Sequence, residues 1–127
     1  MGLVLFHLSF MTLASAFVVT ATVVARRKKK SWLKFHRLLA VSGVTLALAA
    51  AVAMIVFKTV KHYPHFASPH ALLGLFAVVL FIAVPAGGIL SAQGFSNLRV
   101  YHRWGGRAAA VLAITAAASG ILRFLFL

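Results

Sequence analysis

The chain reads as an all-α membrane protein, an antiparallel up-down bundle of four transmembrane helices. Three observations predict it. Of its 127 residues 63% are hydrophobic and 10% charged, with no Asp or Glu, whereas a soluble domain carries about 25% charged residues. The apolar residues fall into four runs, each long enough for the ~20 residues that cross a bilayer as a helix. The runs are continuous and do not alternate, which sets aside a β-barrel, the other fold that satisfies its backbone in lipid.

The first helix is expected at about 3–25. Its charges follow the apolar run, in "ARRKKKSW", and none precede it, so it reads as a retained span and not a cleaved signal. The second is expected at about 32–57, with Ser31 as N-cap candidate. The third, at about 69–92, follows "KTVKHYPHFASP"; Ser68 suits its N-cap and Pro69 its first position. Within it Pro85 predicts a kink that frees the Phe81 carbonyl, and Gly87 and Gly88 predict close helix packing. The fourth, at about 98–126, follows "SAQGFSNLR", with Ser96 or Asn97 as cap candidate. Together they make one transmembrane domain over 1–127, and the short loops make sequential neighbours antiparallel.

The net charge of +13 is unevenly placed. The side with the first and third loops holds Arg26, Arg27, Lys28, Lys29, Lys30, Lys34, Arg37, Arg99, Arg103 and Arg107, and the other side holds Lys58, Lys61 and Arg123. The positive-inside rule puts the first side in the cytoplasm and both termini outside. These cations cluster at the ends of apolar runs, so anionic lipid headgroups are the expected partner and nucleic acid is not. The absence of cysteine excludes disulfides, thiolate metal sites and c-type haem attachment.

Six histidines remain. His62 and His65 lie in the middle loop; His7, His36, His70 and His102 each sit near the start of a different helix. Helix direction puts His7 and His70 at one depth and His36 and His102 at the other. In a square up-down bundle each pair faces across a diagonal. Paired imidazoles inside a helical bundle are how a b-type haem is held without a covalent link. Gly74 and Gly106 lie four residues after His70 and His102, and Ala14 and Gly43 lie seven after His7 and His36. These small residues, on the histidine's own face, are expected to leave room for a porphyrin. Two haems bring four propionates, which Lys34, Arg37, Arg99 and Arg103 would neutralise on the inner side and Lys58 or Lys61 on the outer. With no carboxylate in the chain, each ligand's second ring nitrogen must bond a carbonyl, a hydroxyl or water. The helical rise puts the two irons roughly 20–25 Å apart along the membrane normal.

The segments "LFHLSFM", "KSWLKFHRLLAVSG", "FASPHALLGLFAVVLF" and "RVYHRWGGRAAAVLA" resemble the cytochrome b561 family of transmembrane electron carriers, over nearly the whole chain. The resemblance implies a four-helix core with two b haems, His7 paired with His70 and His36 with His102. It implies electron flow from cytoplasmic ascorbate to an oxidised ascorbate radical or ferric iron. Basic residues before the second haem histidine would hold the donor, where Lys30 and Lys34 stand, with Arg99 before the fourth; His62 or His65 would serve the acceptor. The chain departs from the family in three ways. It lacks the extra helix at each end of the six-helix members, which leaves flanks for a homodimer or a partner redox subunit. It has Val84 and Pro85 where a glutamine and a tryptophan often precede the glycine matched by Gly88. It also lacks acids and long loops, which opens the donor to a quinol or a redox protein.

The expected function is therefore transmembrane electron transfer through two stacked bis-histidine b haems, either as a reductase in its own right or as a carrier. One alternative is the haem subunit of a larger respiratory or extracellular electron-transfer complex, between quinol and a periplasmic cytochrome. Another is a non-redox scaffold or metal transporter. The length suits a prokaryotic inner-membrane protein.

Overall fold

The computed structural model describes residues 2–126. Four helices account for nearly all of them: α1 (Gly2–Arg27), α2 (Trp32–Val60), α3 (Pro69–Ala92) and α4 (Leu98–Phe126). All four are long and apolar enough to cross a membrane. α1 ends two residues later than expected because Arg26 and Arg27 complete its last turn, where cations favour the helix dipole. α2 likewise extends through Lys58 to Val60.

The caps follow the sequence in part. Ser68 is extended and its Oγ accepts from the Ala71 N–H at 3.3 Å, with Pro69 in the first turn. Ser31 occupies the N-cap of α2 but does not cap it. Its φ of 60° is left-handed and its side chain makes no cap bond. The tight reversal between α1 and α2 causes this: Lys28 is also left-handed at φ 45°, and main-chain bonds such as Trp32 N–H to Lys29 O at 2.9 Å close the turn. At α4 the Arg99 N–H meets the Ser96 main-chain carbonyl at 3.1 Å. Gly94, at φ +116°, turns the chain in a conformation that suits glycine alone.

The helices form a square. α1 shares its most extensive interface with α2 and α3 with α4; α1–α4 is smaller and α2–α3 the least. Among the described residues the diagonal pairs, α1/α3 and α2/α4, share no backbone contact. Lipid tails are as apolar as leucine, so helices in a membrane associate through close packing of small residues. The buried set follows that rule: Ala14, Ser15, Val18 and Ala21 on α1, Gly43, Ala47 and Ala50 on α2, Ala77 and Phe81 on α3, and four alanines on α4. A Cβ at Gly43 would lie 3.2 Å from the Ala14 carbonyl oxygen, so α1 and α2 nearly touch there. Ser15, buried, donates to Met11 O at 2.8 Å and reaches Ala113 O at 3.2 Å, linking α1 to α4. Leu38, Val41, Val111 and Leu125 lie on the outer surface, each more than 60% exposed.

Two ends can now be distinguished. The basic end carries the α1–α2 and α3–α4 turns. The opposite end carries the α2–α3 loop and both chain ends.

Candidate functional site

The four helical histidines meet in two diagonal pairs. His7 and His70 have ring centres 6.3 Å apart with planes at 85°. His36 and His102 have centres 5.9 Å apart with planes at 84°. The first pair sits toward the terminal end and the second toward the basic end.

Each ring is oriented through Nδ1 by a neighbouring helix. His7 Nδ1 donates to Ala50 O at 2.9 Å and His36 Nδ1 to Ala21 O at 2.9 Å, so α1 and α2 hold each other's histidine. α3 and α4 do the same: His102 Nδ1 donates to Val84 O at 2.8 Å, and His70 Nδ1 meets Ser119 Oγ at 3.0 Å. A carbonyl can only accept, so in His7, His36 and His102 the proton sits on Nδ1 and Nε2 carries the lone pair. Ser119 Oγ donates its own proton to Ala116 O at 2.9 Å, and must therefore accept from His70 Nδ1. All four Nε2 atoms are left as bases without a hydrogen bond among the described residues.

One register repeats in all four helices. Seven residues after each histidine stands a buried small residue: Ala14, Gly43, Ala77 and Ala109. Eleven after it comes a buried apolar residue: Val18, Ala47, Phe81 and Ala113. Fourteen after it comes the carbonyl that takes the neighbour's bond: Ala21, Ala50, Val84 and, through Ser119, Ala116. Fourteen residues rise about 21 Å. Each helix thus carries a histidine at one depth and the group that orients a neighbour's histidine at the other.

That register corrects the expectation for Ala14 and Gly43. They lie midway between the histidine layers and face each other across the α1–α2 seam, where their smallness lets backbones close and makes no room for a planar group. Gly74 does face free space, with nothing within 4 Å of a Cβ placed on it, and Gly106 has only Val84 Cγ1 at 3.9 Å. Two glycines that sequence reasoning did not connect with the site stand against the rings. A Cβ at Gly88 would lie 2.8 Å from His102 Cε1, and one at Gly120 would lie 2.9 Å from His70 Cε1. Each is eighteen residues past the histidine of its own helix and supports the ring of the next. Gly87, expected to pack closely, meets nothing within 4 Å.

The charged candidates divide between the ends. Lys30, Lys34, Arg37, Arg99 and Arg103 are all exposed at the basic end. Arg107 stacks over the Trp104 ring at 4.7 Å, beside exposed Tyr101, an arrangement that suits a headgroup boundary. At the other end the Lys58 ammonium donates to Pro64 O at 3.0 Å and His65 O at 2.9 Å, stapling the α2–α3 loop. His65 Nε2 lies 3.4 Å from Thr59 Oγ1; His62, at φ 54°, and Lys61 are exposed. Lys58, Tyr63, Pro64, Ala67, Ser68 and Arg123 line an open cavity of about 330 Å³. Arg123 was not a sequence candidate.

The pair geometry fits a metal held between two imidazoles. A metal–imidazole bond of about 2.0 Å, plus roughly 1.1 Å from nitrogen to ring centre, gives about 6.2 Å between rings on opposite sides of one ion. The observed 6.3 and 5.9 Å bracket that span. Among the described residues no three potential ligand side chains gather, so each pair offers two imidazole nitrogens and no third protein ligand. Four residues past His70, Gly74 leaves open space where a larger side chain would stand.

These features define a class: a membrane-embedded four-helix bundle with two diagonal histidine pairs inside it. A family model described as eukaryotic cytochrome b561 matches residues 1–127, and the chain belongs to the cytochrome b561 family, the transmembrane haem-b electron carriers. No curated protein and no solved structure matches the chain.

Proposed function

We propose that the chain carries single electrons across the bilayer through two b haems, one held by His36 and His102 near the basic end, the other by His7 and His70 near the terminal end. The observation that carries this reading is the ring geometry: two diagonal imidazole pairs at ligation spacing, with Nε2 free and Nδ1 tied in every ring. Haem b supplies a one-electron iron couple at each site. The residues supply the rest. Ala21, Ala50, Val84 and Ser119 fix tautomer and orientation and raise ligand basicity. With both imidazoles of each pair engaged in holding the haem, exchange with donor and acceptor would fall to the ends of the bundle.

The charge distribution supports an inside–outside assignment, with the basic end cytoplasmic and both chain ends outside. Lys30, Lys34, Arg37, Arg99 and Arg103 then receive an anionic donor, ascorbate-like or quinol, or pair with the propionates of the nearer haem. Lys58, Lys61, His62 and His65 face the acceptor, which is ferric iron, oxidised ascorbate or a redox protein. The second reading, a haem subunit of a larger complex, draws on the sparse α2–α3 interface, a flank for a partner helix.

A pyridine haemochrome assay on purified protein tests the proposal. It should give haem b at about two per chain, and reduced protein should not bind carbon monoxide. A haem-free preparation from haem-replete cells would defeat the reading. Co-purification with an iron–sulfur or multihaem partner would select the subunit form.

A further inference from the structure

Three of the four histidines donate to a main-chain carbonyl; His70 alone donates to a side-chain hydroxyl. Ser119 also differs from seven other hydroxyls in the helices. Thr12, Ser15, Thr20, Thr22, Thr45, Thr59 and Thr115 each bond back to the carbonyl four residues earlier, the ordinary way to satisfy a hydroxyl in lipid. Ser119 turns to the carbonyl three residues earlier, Ala116, and presents its lone pair to a histidine on another helix. Ala116 is the residue that the fourteen-residue register marks as the holder of His70. The hydroxyl is therefore inserted into a link that the other three sites make directly.

We infer that Ser119 is a positioning residue that raises the reduction potential of the His7–His70 site relative to the His36–His102 site. The inference rests on the haem assignment above. An amide carbonyl is a stronger acceptor than an alkyl hydroxyl. The stronger the acceptor at Nδ1–H, the more electron-rich the imidazole and the more it favours oxidised iron. His70, donating to a hydroxyl, favours oxidised iron less than its three counterparts do. The terminal-end site then holds an electron more tightly than the basic-end site, and the couple slopes from the basic end outward. The serine's own bond to Ala116 strengthens it as an acceptor, but leaves an alkyl hydroxyl as the atom that His70 meets.

The test is a redox titration of full-length, haem-loaded protein, followed at the reduced b-type absorption bands. Ser119→Ala removes the inserted hydroxyl and leaves the Ala116 carbonyl to accept from His70, as at the other sites. In a His36→Ala background, where the His7–His70 site is read alone, its reduction equilibrium should fall by up to about tenfold, which is 59 mV for a one-electron couple. In the otherwise native chain one couple should move and the other hold. Ser119→Thr keeps the hydroxyl and should keep native potentials. An unchanged or raised potential in Ser119→Ala overturns the inference, and so does loss of the haem from that variant. Absence of haem from the native protein would instead defeat the haem assignment, so the two failures are distinguishable.

Discussion

The glycines against the rings give the sharpest mutational prediction. Placing a Cβ on Gly88 puts it 2.8 Å from His102 Cε1 and 2.9 Å from Nδ1, against the 3.4 Å where ordinary contact begins. The ring must retreat by about 0.6 Å, yet its Nδ1 is tied to Val84 O at 2.8 Å on the same helix. A retreat of the ring held at Nδ1 shifts its Nε2 relative to His36. Overpacking of this kind costs about 1–3 kcal/mol, while alanine gains about 1 kcal/mol over glycine in a helix. Global stability should therefore change little, and the loss should fall on cofactor affinity, at tenfold per 1.4 kcal/mol. Gly88→Ala should empty the basic-end site and Gly120→Ala the terminal-end site, each lowering the haemochrome ratio from two toward one. Double variants identify the site: Gly88→Ala should remove no further haem from a His36→Ala protein, while Gly120→Ala should remove the last one. Equal haem loss when Gly88→Ala or Gly120→Ala is added to His36→Ala, or none from either single variant, would refute the argument from ring support.

Further substitutions probe other parts of the bundle. Gly74→Ala meets no protein atom within 4 Å, so it should raise helix stability slightly while reducing haem content. Haem content unchanged by it would show that no cofactor edge lies there. Phe81→Ala opens a hole on the basic-end side of the midplane, at the one large side chain that is fully buried among the described residues. It should cost about 3–5 kcal/mol in a detergent unfolding titration, with both haems still ligated in the folded fraction. Gly43→Leu drives a side chain into the Ala14 carbonyl and should unfold the α1–α2 pair outright, seen as loss of helical circular dichroism. Lys58→Met removes both bonds that staple the α2–α3 loop; faster proteolysis at residues 61–68 is the expected result, with native haem spectra.

The residues differ in how openly the sequence announced them. The four spans and the Ser68–Pro69 start were legible because they depend on local composition and local bonding. The histidine pairing was legible because helix direction fixes depth and a square fixes diagonals. Ala14 and Gly43 misled because a seven-residue offset returns to the same face but lies about 10 Å deeper. That places them halfway to the other layer, where small residues join helices. Gly88, Gly120 and Ser119 were not legible. Each acts on a ring from a different helix, and the contact depends on the relative register of two antiparallel helices, which no single helix encodes. Once the helices are aligned on their histidines, the seven, eleven and fourteen offsets appear in all four, so the signal was present as a weak internal repeat.

The absence of acids follows from the same scheme. A carboxylate behind a ligating histidine is the common way to fix its tautomer, but in the middle of a bilayer an unpaired carboxylate is costly. Here the main chain takes that role at three rings and the Ser119 hydroxyl at the fourth. A helical carbonyl has two lone pairs, and its intrahelical bond uses one, so it can accept from a neighbouring imidazole without leaving the helix. That solution demands close approach, because the ring must reach the backbone of the adjacent helix. Alanine at 21 and 50 and glycine at 88 and 120 provide the access, and an Ala21→Leu or Ala50→Leu variant should displace His36 or His7 respectively. Each such variant should release one haem while leaving the chain without any change in charge. If both haems stayed bound with native spectra, the carbonyl links would be incidental, and the register that unites the four helices would lose its physical cause.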